Sequence, residues 1–155
     1  MTLQTEKPPY EAYAAIAGTF VAGLGLVAAA ARRSPPATAL DLVALSAATF
    51  KAARTLSREK VASFVRQPFV EGDAELGEYE RPAGEGFQRA VGELVTCTRC
   101  IGTWTAAVLA SSQMLSPRFG RALTWSLAAA GANDFLQAAF AALCEKANQL
   151  EEREP

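Results

Sequence analysis

Apolar residues gather into four stretches, and the charges are pushed into the intervals between them. Twenty consecutive residues between Glu11 and Arg32, "AYAAIAGTFVAGLGLVAAAA", carry no charge. Another 18 uncharged residues lie between Arg99 and Arg118, and 23 between Arg121 and Glu145 are interrupted only by Asp134. A weaker stretch, "TALDLVALSAATFKAARTL" (38–56), holds Asp41 near one end and Lys51 and Arg54 near the other. At ~1.5 Å per helical residue, some 20 residues cover the ~30 Å hydrocarbon layer of a bilayer.

The pattern predicts an all-α chain, a small polytopic membrane helical bundle forming one domain over residues 1–155. About four transmembrane helices are expected, at roughly 12–31, 38–56, 101–117 and 122–144, with a loop at 57–95. Breaker-rich "RRSPPA" and "SPRFG" are expected to turn the first span onto the second and the third onto the fourth. Two other readings fit parts of the pattern. One is a water-soluble helical protein with Ala-rich core helices. The other is a cleaved signal peptide over residues 1–33, although its apolar core would exceed the usual ~7–15 residues and acids Glu6 and Glu11 outnumber Lys7 before it.

Composition sharpens this picture. Half the residues are apolar, a fifth are charged and the formal net charge is −1. Binding of nucleic acid through bulk positive charge is thereby excluded. The mean hydropathy of +0.09 is low for a membrane protein, but an average hides the clustering of the charges between long uncharged runs. Of the 15 Lys and Arg, 11 fall at the two ends and in 51–99, and four (Arg32, Arg33, Arg118, Arg121) fall in the two short turns. Cationic loops stay inside, so the chain is expected in the bacterial cytoplasmic (inner) membrane, multi-pass, with both termini and the 57–95 loop in the cytoplasm.

The loop opens with "SREKVASFVRQPFV", whose Val61, Phe64, Val65 and Phe69 alternate with Arg58, Lys60 and Arg66. That spacing predicts a short amphipathic helix in the headgroup layer, ended at Pro68. Phe64, Phe69, Arg58, Arg66 and, at the same level, Trp104 are the expected membrane-interface residues; the bland alternative is a cationic surface turn. "EGDAELGEYERPAGEG" reads as a solvated acidic loop, and "FQRAVGELV" as a helical approach to the thiols. Small residues Ala14, Gly18 and Ala22 in the first span, and Ala128 and Ala132 in the fourth, suit close helix packing or an oligomer interface.

Polar groups at bilayer depth carry more information, because a carboxylate there costs ~2.5 kcal/mol or more unless paired or protonated. Entering from the same side, Asp134 lies 12 residues into its span and Lys51 lies 13 residues into its own, about 18 and 20 Å at the helical rise. The two are expected to pair, with Arg54 as substitute partner and Asn133 and Gln137 completing the network. A register-fixing ion pair and a proton- or ion-handling site remain alternatives.

Cys97 and Cys100 precede the third span, and Cys144 ends the fourth. The topology should bring the three sulfurs to one level, with Glu93 as a further donor in a chain that has no histidine. Three chemistries are open. The cysteines are packing residues, or Cys97–Cys100 is a redox couple with a thiol activated by a helix N-terminus and Arg99, or the cluster binds zinc through three thiolates and a carboxylate. No other cofactor is expected.

"RTLSREKVASFVRQPF", followed some twenty-five residues later by "GELVTCTRCIGTW", resembles an uncharacterised bacterial membrane-protein family, the domain of unknown function 1360. The resemblance runs from about residue 38 to 143 and is most specific at Gly92-Glu93-Leu94 and Cys97-x-x-Cys100-x-Gly102-x-Trp104. Arg54, Arg58, Arg66, Pro68, Phe69 and "GANDFLQ" share it. It implies a small integral membrane protein with no established activity, some members being linked to sporulation. This chain has Thr98 and Arg99 between its cysteines where members often carry Pro or an aromatic residue, and the first apolar stretch lies outside the resemblance. The leading functional expectation is a non-enzymatic scaffold or accessory subunit that binds a protein partner, or a second copy of itself, through the cytoplasmic face. A thiol-redox or metal-binding module is the alternative, and a proton or ion carrier using Asp134 is the third. No nucleotide loop, nucleophile–base arrangement or paired-carboxylate hydrolase site is present in the sequence.

Overall fold

A computed structural model describes residues 8–31, 38–72 and 80–151, and the "RRSPPA" turn and residues 73–79 of the acidic loop lie outside them. The fold is all-α. Among the described residues there are six α-helices and one antiparallel ribbon of two-residue strands.

Helix α1 spans Tyr10–Ala30. Helix α2, Ala39–Arg58, starts where Thr38 and Asp41 cap each other reciprocally: Thr38 Oγ1 accepts the Asp41 amide and Asp41 accepts the Thr38 amide. Such a box satisfies two of the amide donors that a helix start leaves open. Asp41 therefore sets where α2 begins.

The segment after α2 is not the single amphipathic helix expected. A 3₁₀ turn at Lys60–Ala62 leads into a four-residue α3, Ser63–Arg66, and a second 3₁₀ turn at Gln67–Phe69 contains Pro68 rather than stopping before it. Strand β1, Val70–Glu71, pairs with β2, Arg81–Pro82, in the register Val70↔Pro82 and Glu71↔Arg81. Helix α4, Gly86–Thr96, is the expected approach helix. Cys97 alone separates it from α5, Thr98–Leu115, and Ser116 alone separates α5 from α6, Pro117–Glu151.

The expected "SPRFG" turn thus shrinks to one residue. Proline is tolerated at the first helical position, where its missing N–H would have no intrahelical partner. Gly120 then lets α6 turn back on α5, since a Cβ there would lie 2.4 Å from the Gln113 backbone nitrogen. Span four, expected at 122–144, is accordingly part of a 35-residue helix.

Side-chain pairs give the helix directions. Tyr13 meets Glu93 and Phe20 meets Trp104, so α1 runs alongside α5 in the same sense. Asp41 lies near Arg121 and Lys51 near Asp134, so α2 and α6 are parallel. Ser57 meets Thr98, and Gln113 meets Thr124, so α5 is antiparallel to both. The first span packs on α5 and α4, not chiefly on α2 as a simple hairpin would require.

The interior is made of small side chains. Ala44, Ala48, Leu109 and Ala128 form the core cluster, with Leu45, Ala47, Leu123 and Leu127 packed against it. Gly131 faces the Ala47 carbonyl so closely that a Cβ would sit 2.8 Å from it. The expected stripes behave unequally: Ala128 is buried, Ala132 is exposed, and Gly18 has nothing within 4 Å of where its Cβ would be. Large apolar side chains point outward, among them Leu26, Val43, Phe119 and Leu136, each more than 60% exposed. By length and composition two helices are able to cross a membrane, Tyr10–Ala30 and Pro117–Leu150. Helices α2 and α5 do not qualify, because Asp41, Lys51 and Arg54 and a run of Thr, Ser and Gln dilute their apolar character.

Candidate functional site

Polar chemistry collects at the end of the bundle where α2 finishes and α5 begins. Lys51 Nζ donates to Asp134 Oδ2 at 3.0 Å, across the α2–α6 interface, and to Glu59 Oε1 at 2.8 Å. The Lys51–Asp134 contact is the one expected from matching depth. The second acid on Lys51, Glu59, was not expected, and Arg54 makes no ion pair with Asp134 among the contacts of the described residues. Arg54 is exposed and lines, with Phe50, Phe135, Gln137 and the three charged groups, a cavity of about 420 Å³. Asn133 is exposed on another face of α6.

Phe50 and Phe135, each next in sequence to one of the paired charges, stack with ring centroids 5.1 Å apart and wall the ion pair on one side. The hydrogen bond from Lys51 is the main cause holding the Glu59 carboxyl below the ordinary carboxylate range, against partial burial. The sequence signal for Glu59 was faint: an acid eight residues after Lys51, at the residue that closes α2.

Arg66 corrects an expectation more sharply. Read as a headgroup-facing residue, it is only 1% exposed. Its Nε and Nη2 grip Glu80 at 2.7 and 3.1 Å, and its Nη1 donates to the carbonyls of Leu56 and Glu59 at 2.8 and 3.1 Å. A guanidinium presents donors in a planar fork, so it can bind a carboxylate in a bidentate manner while closing the open carbonyls of a helix end. Glu80 is correspondingly no solvating acid. With Arg66 and Ala62 turned inward, Val61 and Phe64 point out, each over 70% exposed, beside exposed Arg58 and Lys60; Phe69 is half-buried.

Two expected site residues serve to dock α1. Glu93 accepts the Tyr13 hydroxyl and also Arg89 Nε, the latter at 3.1 Å. Trp104 packs edge-on against Phe20 with centroids 5.0 Å apart, and is an inter-helix contact more than a free interfacial anchor. No sequence pattern pointed to Tyr13 or Phe20 as their partners.

Cys97 and Cys100 meet at the start of α5, and Cys144 lies on α6. Cys97 is the N-cap of α5, its Sγ accepting the Cys100 amide at 3.3 Å. Cys144 is exposed on α6, ten residues beyond Asp134, about 15 Å along the helix. Among the described residues no group of three or more His, Cys, Asp or Glu is arranged to hold a metal. The Cys97–Cys100 pair keeps an asymmetry. The Cys100 thiol, donating to Cys97, holds the Cys97 thiol below its ordinary value, helped by the Cys100 and Arg99 amides and the Arg99 charge. The same bond and burial push Cys100 up to about 11.

These features define a class: an all-α bundle, small-residued within and apolar without, with an ion-paired cluster and a capped thiol pair at one end. The chain belongs to the DUF1360 family of proteins of unknown function, whose family model matches residues 44–140. The match runs from within α2 through most of α6 and leaves α1 outside. The chain is 33% identical over 98 residues to the sporulation protein YjcA of Bacillus subtilis (strain 168), covering 59% of this chain and 83% of that protein. It is 26% identical over 106 residues to the UPF0713 protein YngL of the same organism, covering 64% of this chain and 78% of that one. No solved structure matches.

Proposed function

We propose that this is a four-pass protein of the bacterial cytoplasmic membrane, acting as a non-enzymatic scaffold or accessory subunit whose 57–95 face binds a protein partner in the cytoplasm. The observation that carries the membrane part is the inverted distribution of side-chain size. Only 6% of the most apolar window of α1 or of α6 is buried, whereas a core helix of a water-soluble protein would be mostly buried. Lipid tails reward close backbone packing and not the burial of large apolar groups, which suits an Ala- and Gly-lined interior. Helices α2 and α5, at 20 and 18 residues, reach about 30 and 27 Å, and their polar groups largely turn toward neighbouring helices. The alternating senses of α1, α2, α5 and α6 suit four passes with both termini on one side, the side favoured by the Lys and Arg distribution.

The scaffold part rests on the outward Val61, Phe64 and Val65, with Arg58 and Lys60 beside them, on a segment pinned from behind by buried Arg66. A rigidly held apolar group beside cations is a contact surface. A photo-crosslinkable residue in place of Phe64, activated in cells, is expected to yield a discrete adduct with another protein. Adducts with lipid only would overturn the partner reading while leaving the membrane reading intact.

A second reading, a membrane thiol-redox module, is favoured by one observation: Cys97 sits at the N-cap of α5 with its sulfur accepting the Cys100 amide. Trapping the Cys97–Cys100 thiols in cells with and without oxidant tests it. Carriage of protons or ions by Asp134 gains no support from a carboxylate already held by Lys51.

A further inference from the structure

Helix α6 outruns the bundle. It continues 17 residues past Asp134, whereas α2 ends seven residues past the Lys51 that sits at the same level. About ten residues, ~15 Å of helix, therefore project beyond the end of α2.

The projecting part is not a continuation of the packed face. Gly120, Thr124, Ala128 and Gly131 are the buried positions of α6. From Ala129 onward a second stripe appears: Ala129, Asn133, Leu136, Phe140, Leu143, Ala147, Leu150, all exposed. At 3.6 residues per turn this stripe lies roughly a third of a turn away from the buried one. Its spacing alternates four and three residues without a slip, and Leu136, Leu143 and Leu150 fall seven apart. Lipid asks only that a surface be apolar. A strict seven-residue repeat drifts around a straight helix and stays in line only when a second helix coils with it.

We infer that this stripe is the seam of a parallel homodimer, in which α6 of one chain coils with α6 of a second copy from about 10 Å inside the outer face of the membrane through to the cytoplasm. This rests on the membrane reading above, which supplies the orientation: copies inserted alike present their α6 helices parallel and in register. The seam is then self-complementary, as a two-fold interface must be. Asn133 occupies a core position, where a buried amide fixes register at some cost in stability. Lys146 flanks the seam at the position that faces, in a parallel pair, the residue five places later in the other chain, and the sequence supplies an acid at 151. About four residues in seven make contact in such a pair, roughly a dozen per chain here, fewer than the ~20–30 per side of a standard interface. The dimer accordingly depends on confinement in the membrane and loosens when diluted in detergent.

The test is a cysteine scan in full-length chain carrying Cys97→Ser, Cys100→Ser and Cys144→Ser. Single cysteines replace Phe140, Leu143, Ala147 and Leu150 in turn, with Ala141 and Asn148 as off-seam controls, and native membranes are oxidised with copper and dioxygen. Expected is a species of twice the 16.4 kDa chain mass at the four seam positions, at least tenfold stronger than at the controls. Leu143→Glu, outside the bundle, should abolish the Ala147→Cys dimer while the chain stays in the membrane. Equal crosslinking at every position, none at all from membrane-bound chain, or an adduct with a different protein would each overturn the seam. Recovery of the chain in the aqueous fraction would instead overturn the membrane reading, and the same scan run on that fraction would still report on the seam.

Discussion

Glu80 grips Arg66 through both carboxylate oxygens, while the same guanidinium closes the carbonyl end of α2. One nearly inaccessible side chain thus ties together a helix terminus, the segment that follows it and the approach to the second strand. Removing one partner of a buried pair strands the other, at a typical cost of ~3–5 kcal/mol. Arg66→Ala and Glu80→Ala should each destabilise by this order. Arg66→Ala should be the worse, because it also opens the Leu56 and Glu59 carbonyls. Denaturant titration of purified protein in detergent measures both, and equal, near-zero effects would contradict this placement of Arg66.

Lys51 serves two acids, so its loss should cost more than the loss of either acid. Lys51→Met is expected to lower stability by more than the roughly 1 kcal/mol of a single hydrogen bond, and Asp134→Asn by about that much. Exchanging the charges of Lys51 and Asp134 should rescue only in part. The swapped acid at 51 then faces Glu59, so a full rescue appears only when Glu59→Gln is added. A double-mutant cycle reads these couplings directly.

The same cluster gives a pH dependence. Glu59 has its folded pKa lowered by Lys51. Its contribution is therefore complete above the unfolded carboxylate value of ~4.3 and is lost as pH falls through the lower folded value. Unfolding midpoints of the wild type should fall across that acidic window more steeply than those of Glu59→Gln.

Close backbone approach predicts a different pair of lesions. A Cβ on Gly131 would stand 2.8 Å from the Ala47 carbonyl oxygen, and one on Gly92 would stand 2.4 Å from the Phe69 carbonyl oxygen. Backbone neighbours yield poorly, so Gly131→Ala and Gly92→Ala should each cost about 1–3 kcal/mol. Gly18→Ala, with open space around it, should be harmless or slightly stabilising.

The thiols should react unequally. With Cys97 held below its ordinary value and Cys100 pushed up to about 11, iodoacetamide at neutral pH should modify Cys97 first. Cys100→Ala removes the largest cause of the lowering, so the pH midpoint of Cys97 alkylation should rise. Equal rates at the two sulfurs, or no change in that midpoint, would count against the capped arrangement.

Much of this architecture was legible from where charges are missing. The uncharged runs located α1, α5 and α6, and counting residues inward from one side matched Lys51 with Asp134, because helical rise turns sequence distance into depth. What escaped the reading depends on partners that no local pattern encodes. Arg66 looked like a headgroup residue by its spacing beside Val65 and Phe69, and it is held inward by Glu80, fourteen residues on, together with the Leu56 and Glu59 carbonyls. The three cysteines were expected to meet at one level. Cys97 instead caps α5, Cys144 lies exposed near the far end of α6, and among the described residues no three donors gather around a metal position. Glu93 looked like a metal donor because it precedes the thiols, yet it is taken by Tyr13 from a helix outside the region of family likeness.

The surrounding medium is the claim on which the rest of this account depends, and fractionation of cells expressing the full chain tests it most directly. The account predicts that the protein pellets with membranes, stays there through an alkaline carbonate wash and leaves only with detergent. A monodisperse monomer recovered from the detergent-free supernatant would contradict it.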